Sequence, residues 1–199
     1  MSWFDELLGR QKPVKSQLDH LFAMSTAYVT LQAHLGLRST GKASVCIKPV
    51  DSSFFEAAAG EINDLLRLGG QEVGTKAEHR HDSYGYEWLV LTDGGFEDLV
   101  AAMHVVSTTL DERGFGEQML AAVFQFENET SQSFSGKDRL VYWLYNYKRG
   151  KFYPFVPLSG HKRDNAFELR LGAIMEKELP IEAEMERWYP LWDMPLSRE

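Results

Sequence analysis

The densest run of apolar residues in the chain lies between residues 139 and 158 and predicts a β-hairpin. Residues 141–147 are β-branched, aromatic or leucine except for Asn146, and they precede the polar turn Lys148-Arg149-Gly150-Lys151. Both faces of this first strand are mostly apolar. We therefore expect a central strand, with helices covering one face and a loop or a partner covering the other.

The second strand of the hairpin begins at Phe152 and contains two prolines, Pro154 and Pro157. Proline has no backbone N–H to donate to a neighbouring strand. This strand is therefore expected at an edge of the sheet, or to leave the sheet at the prolines.

Apolar residues at helical spacing alternate with short strand-like segments along the rest of the chain. Helices are predicted from Ser16 to a stop at Gly36 and over residues 54–68, 96–113, 165–179 and 182–188. Strands are predicted over residues 42–50 and 119–127, and residues 72–91 are predicted to form an irregular hairpin. This order predicts a single α+β domain over residues 1–199, with a mainly antiparallel sheet, a C-terminal three-strand meander and flanking helices.

The first eleven residues predict a short amphipathic helix whose apolar face carries Trp3, Phe4, Leu7 and Leu8. One interpretation is that this helix packs against the core of the same chain. The other is a docking element for a partner, and Asp5 and Glu6 on its polar face favour a protein over an anionic membrane.

Composition limits the classes of function. The formal net charge of -8 over 199 residues argues against general nucleic-acid binding, which needs a basic surface. The single cysteine, Cys46, excludes an intramolecular disulfide and fits a reducing compartment. Neither a signal peptide nor a transmembrane segment is evident, so we expect a cytoplasmic protein without an integral membrane segment.

The motifs of common enzymes and nucleotide-binding proteins are missing from the sequence. It contains no GxGxxG, GxxxxGK[ST] or GxSxG motif. Cys46 lies in a predicted apolar strand and has no neighbouring histidine that could activate it as a nucleophile. We therefore predict no catalytic residue, no bound cofactor and no nucleic-acid partner.

His79 and His81 are the nearest approach to a metal site. Alternate residues of a strand share a face, so the two imidazoles could ligate one ion together with Glu87 or Glu78. Because the segment resembles an exposed loop and the third ligand has no fixed spacing, no metal ligand is assigned. A small-ligand or metal-binding sensor, or an enzyme, that uses the His79/His81 region remains the alternative function.

Basic residues concentrate at two loops of this acidic chain. The loops contribute Lys148, Arg149, Lys151, His161, Lys162 and Arg163. If the loops meet in space, they form a positive patch that attracts an acidic partner. The alternative is that these are ordinary soluble residues of exposed turns.

Two long strings resemble the PspAB family of PspA-associated proteins. The first is the opening MSWFDELLGRQKPVK at residues 1–15, followed by LDHLF at 18–22. The second is LYNYKRGKFYPF at residues 144–155, followed by Arg163-Asp164-Asn165.

This resemblance implies an accessory protein of the phage-shock envelope stress response that works in the cytoplasm. Its implied partner is PspA, a membrane-remodelling coiled-coil protein, through which peripheral membrane contact would arise. The resemblance implies no enzymatic activity and no family catalytic residues. The contact surface is predicted from the residues alone: the Trp3/Phe4/Leu7/Leu8 face and the six basic loop residues.

Overall fold

The computed structural model describes residues 15–50, 52–68, 74–129 and 140–196. These residues form a mixed domain of four α-helices and a mainly antiparallel sheet, which confirms the predicted α+β class. The predicted helix carrying Trp3, Phe4, Leu7 and Leu8 lies outside the described residues.

The helices follow the predicted order. A 3-10 segment, Lys15–Phe22, leads into α1, Ala23–Leu35, and is followed by α2, Ser52–Leu68, α3, Phe96–Leu110, and α4, Asn165–Met175. The strands are β1, Leu37–Ile47; β2, Lys76–His81; β3, Glu87–Thr92; β4, Met119–Asn128; β5, Leu140–Asn146; β6, Lys151–Phe155; β7, Pro157–Leu158; and β8, Lys162–Arg163.

Six strands form one sheet in the order β2-β3-β1-β4-β5-β6, and every pairing in it is antiparallel. The predicted three-strand meander is β4-β5-β6. β6 lies at the sheet edge, as predicted from its proline, Pro154, which is opposite Trp143 of β5, and Pro157 lies beyond β6 in β7. Strands β7 and β8 form a separate small hairpin.

All four helices pack on one face of the sheet. Their buried residues include Met24, Leu31, Phe55, Ile62, Leu99, Met103, Val106 and Leu171, and they meet Val45, Leu89, Phe124, Trp143 and Tyr145 of the strands. This is the main core, and it fulfils the expectation that helices cover one face of β5.

The opposite face of the sheet is covered by residues 188–196, here called the C-terminal strap. Trp188, Leu191, Met194 and Leu196 of the strap pack against a second apolar cluster that includes Trp88, Val123, Leu144, Tyr153 and Phe155. Side-chain hydrogen bonds help to hold it in place: the Tyr153 hydroxyl donates to the Tyr189 carbonyl at 3.2 Å, and the Gln125 amide donates to the Leu196 carbonyl at 2.6 Å. The chain itself therefore provides the cover predicted for the second face of β5.

Several boundaries differ from the predicted ones. β1 begins at Leu37, five residues before the predicted start. A bulge between Ser39 and Ala43 accommodates the polar residues there while β1 stays paired with β4 on both sides of it. Gly41 in this bulge has a φ of +73°, and a Cβ there would lie 2.4 Å from the Asp93 carbonyl oxygen. This half of the strand consists mostly of polar residues and a glycine, so it shows no alternation of apolar and polar residues from which a strand could be predicted.

The other differences concern segment ends and regularity. The predicted helix from Ser16 is α-helical only from Ala23, and the predicted helix 165–179 ends at Met175. The predicted helix 182–188 is one 3-10 turn, Met185–Arg187. The described part of the predicted irregular hairpin is a regular pair, β2 with β3, without a register shift.

We expect Trp188→Ala to lower the free energy of unfolding by about 3–5 kcal/mol, the usual cost of removing a large buried aromatic side chain. Trp188 is 6% exposed and packs so closely on α4 that a Cβ at Gly172 would lie 2.9 Å from its ring. Urea denaturation followed by circular dichroism measures the change.

Tyr84→Ala is the matched control because Tyr84 is 68% exposed, and it should change the unfolding free energy by less than about 0.5 kcal/mol. Equal, small effects of the two substitutions would show that the strap adds little to stability.

Candidate functional site

The turn between β5 and β6 holds three of the predicted partner-binding residues in a fixed loop. The Asn146 side-chain oxygen accepts hydrogen bonds from the backbone N–H groups of Lys148 and Arg149, at 3.1 and 3.2 Å. Gly150 closes the turn with a φ of +63°, and its N–H donates to the Asn146 carbonyl at 2.8 Å. Lys148, Arg149 and Lys151 are therefore presented from a rigid turn.

Arg149 is tied to an acidic residue of the same chain. Its Nε and Nη2 donate to the carboxylate of buried Glu182, the latter at 3.3 Å. Burial opposes ionisation of Glu182, but hydrogen bonds from Arg149 and from the Glu184 N–H, with the charges of Arg149 and Arg187, outweigh it and lower the pKa of Glu182. The guanidinium of Arg149 thus already has a counter-ion.

Lys48 joins the turn residues, although the sequence prediction did not include it. It follows β1, and its Nζ donates to the Glu117 carbonyl at 2.9 Å. Partial burial and then the nearby charge of Lys48 lower the pKa of Lys148. Only the sheet order, in which β4 alone separates β1 from β5, shows that these two lysines are neighbours.

Arg163, in the second basic loop, is bound into the protein interior. Its Nε donates to both carboxylate oxygens of buried Glu168, at 3.0 and 2.7 Å, and its Nη1 donates to the Trp188 carbonyl at 2.6 Å. Burial raises the pKa of Glu168, although the Val156 N–H and Arg163 act in the opposite direction. Arg163 therefore anchors the beginning of the strap.

The other two residues of the second loop face solvent. Lys162 is exposed, and His161 is exposed with its Nε2 3.9 Å from Asp193 of the strap. The loop begins beyond β6, whereas the Lys148–Lys151 turn precedes it. At about 3.3 Å per residue, the strand between Lys151 and Pro157 separates the two loops by about 20 Å. The two loops therefore lie at opposite ends of β6.

His79, His81 and Glu87 form a cluster at the β2 edge of the sheet. His81 lies opposite Glu87 in the β2–β3 pair, and both histidines point to the helix face. The Glu87 Oε2 atom is 2.5 Å from His79 Nε2 and 3.0 Å from His81 Nδ1. The prediction of a loop was wrong here, because residues Lys76–His81 form the edge strand β2, whose side chains are exposed or partly buried.

The geometry also selects between the two carboxylates considered as a third ligand. Glu78 lies on the other face of β2, where its carboxylate accepts from Arg80 at 2.9 Å. Glu87 is therefore the carboxylate that shares a site with both histidines, and these three side chains could hold a metal ion.

Cys46 is buried in the sheet, as predicted. Burial, with a smaller contribution from Asp82, raises the pKa of its thiol well above the usual value. A thiol in this environment remains protonated at neutral pH and is unsuited to nucleophilic attack.

No helix among the described residues is long and apolar enough to cross a membrane.

Comparison with known families gives one match over almost the whole chain. The family model described as PspA associated protein B, PspAB, matches residues 1–196. Comparison with curated proteins and with solved structures gives no match.

We expect Arg163→Gln to lower the free energy of unfolding at neutral pH by about 3 kcal/mol, because it leaves the Glu168 carboxylate buried without its cation. This deficit should shrink as the pH falls from about 7 to about 5. Arg163 lowers the pKa of Glu168 in the parent, so its loss raises that pKa further, and the folded variant binds the proton, and gains stability from it, at a higher pH than the parent.

Denaturation at both pH values measures the effect, and Lys162→Gln is the control because it removes an adjacent exposed cation. If both variants are as stable as the parent, the Arg163–Glu168 pair is not structural.

Proposed function

Since this chain belongs to the PspAB family, we propose that it is a non-enzymatic accessory protein of the phage-shock envelope stress response, acting by direct contact with PspA. The observation that carries the proposal is the family match, which extends over residues 1–196. The resemblance implies a coiled-coil partner and a cytoplasmic site of action.

Several buried polar residues of the described chain are bonded within the fold. Glu168 and Glu182 neutralise arginines, Gln125 holds the end of the strap, and Ser107 bonds to the Tyr147 hydroxyl at 2.6 Å. These groups stabilise the structure, so the proposed function rests on the family match and on the exposed surface.

The turn after β5 is the contact surface that the geometry favours. Lys48, Lys148 and Lys151 lie at this end of the sheet in a chain of net charge -8. Among the described residues, no acidic side chain forms a salt bridge with Lys148 or Lys151, in contrast to Arg149 and Arg163. Such lysines can attract an acidic surface without losing an internal partner.

The start of the described chain lies beside the same turn. A ring nitrogen of His20, in the segment Lys15–Phe22, is 3.3 Å from the Gly150 carbonyl oxygen. Leu8 precedes Lys15 by seven residues, which span at most about 25 Å. Trp3, Phe4, Leu7 and Leu8 precede this segment in the sequence, and the proposal is that one partner contacts both them and the lysines.

The second loop contributes less to this proposal. Arg149 and Arg163 neutralise buried carboxylates. Substituting either arginine would destabilise the fold, so a loss of binding by such a variant would not identify a contact residue. Lys162 and His161 remain exposed, and we retain them as a separate contact point.

The direct test is size-exclusion chromatography with light scattering, on the full chain with and without purified PspA. The proposal predicts a mixed species whose mass contains both proteins. Two separate peaks, together with no heat of binding in calorimetry, would reject direct contact.

We expect Lys148→Glu combined with Lys151→Glu to weaken PspA binding at least about tenfold, because the variant replaces attraction by repulsion. Binding by the parent protein should also weaken as salt is added. Deleting residues 1–11 should weaken binding as well. Calorimetry measures the three affinities.

The control for the charge reversal is Arg67→Glu combined with Lys76→Glu, two exposed cations near the opposite edge of the sheet. It should retain the parent affinity. Equal affinities of the parent, the turn variant and the truncated chain would reject both contact sites while leaving the association itself intact.

A further inference from the structure

We propose that His79, His81 and Glu87 form a binding site for one divalent transition-metal ion, with Zn²⁺ as the best fit. This site goes beyond the contact with PspA and is independent of it. It lies at the β2 edge of the sheet, whereas the proposed contact surface lies beside the β5–β6 turn.

The backbone places the three side chains on one face. His79 and His81 alternate along β2, so their imidazoles project to the same side, and Glu87 of β3 is the cross-strand neighbour of His81. Three potential donor atoms, one from each side chain, all lie within 4.8 Å of one another. The β2–β3 register, which has no bulge, fixes this convergence.

The spacing is close to that of a tetrahedral zinc site. Ligand atoms about 2.0–2.1 Å from Zn²⁺ lie about 3.3 Å from each other. The Glu87 oxygen is 2.5 Å from the His79 nitrogen and 3.0 Å from the His81 nitrogen. To bind one ion, this oxygen and each nitrogen must move apart by less than about 1 Å. The two histidine nitrogens, which are at most 4.8 Å apart, must come to the same spacing of about 3.3 Å.

The donor set determines the type of metal. Two imidazoles and one carboxylate suit Zn²⁺ and similar transition metals, whereas Ca²⁺ and Mg²⁺ prefer oxygen ligands. Phe55 of α2 packs on the His79 ring, with centroids 4.9 Å apart, and covers one side of the site. His81 is 58% exposed, so a fourth position is open to water on the other side.

The charge of Glu87 supplies a second reason. Its side chain is 4% exposed, and within the described residues its salt-bridge partners are the two histidines, with no lysine or arginine. A buried carboxylate requires a positive counter-charge. The other buried carboxylates, Glu168 and Glu182, each have an arginine, so a bound cation would give Glu87 the equivalent partner.

The test uses the full chain without a histidine tag, stripped of metal by a chelator and titrated with ZnCl₂ in a calorimeter. One Zn²⁺ per chain should bind, and the melting temperature should rise because the ion joins β2 to β3. Co²⁺ should bind at the same stoichiometry and show visible absorption from coordination by nitrogen and oxygen.

His81→Ala is the main variant, because His81 is 58% exposed and its removal leaves His79 beside Glu87. It should weaken Zn²⁺ binding roughly a hundredfold, as should Glu87→Gln, which keeps the shape of the side chain and removes its charge. His34→Ala removes an exposed histidine of α1 and should bind Zn²⁺ like the parent.

Two results would overturn the proposal. One is a parent protein that binds no stoichiometric Zn²⁺. The other is equal affinity in the parent, His81→Ala and Glu87→Gln, which would place any bound ion elsewhere. Circular dichroism of each variant separates loss of the site from loss of the fold, and His81→Ala alone decides the result if Glu87→Gln does not fold.

Discussion

Burial of both faces of the central strands is the constraint on which the rest of this structure depends. In β4 and β5 consecutive side chains are buried, so the sheet cannot leave a face to water. Four helices cover one face and the C-terminal strap covers the other. The strap, residues 188–196, contains neither helix nor strand but only short turns, and side-chain hydrogen bonds from Gln125, Tyr153 and Arg163 help to hold it in place.

The same constraint explains why the arginines and the lysines of the two basic loops have different roles. Arg149 and Arg163 stabilise carboxylates that lie under or beside the strap, and their planar guanidinium groups suit such paired hydrogen bonds. Lys148 and Lys151 belong to the same basic string, but among the described residues neither forms a salt bridge with a carboxylate. The KRGK segment therefore combines an arginine that neutralises Glu182 with two lysines that form no salt bridge among the described residues.

The sequence predicted most elements because their periodicities are local properties. The aromatic hairpin, the meander and the edge position of Pro154 follow from alternation and from the chemistry of proline. The early part of β1 was missed because Gly41 and polar neighbours form a bulge there, and the strap was missed because an extended segment has no periodic signal. Glu78 is excluded by alternation once its segment is known to be a strand, whereas the position of Glu87 opposite His81 depends on strand register, which the sequence does not encode locally.

The strap also matters for the order in which the protein is made. All six strands of the sheet precede residues 188–196 in the sequence. The ribosome therefore synthesises the strands before the segment that covers their second face. Until then, Trp88, Tyr142 and Phe155 lie open to water and to other unfinished chains. Exposed apolar surface of this kind promotes aggregation. A chain released by a ribosome that stalls before residue 188 is therefore a substrate for chaperones and proteases, although its sheet is already encoded in full.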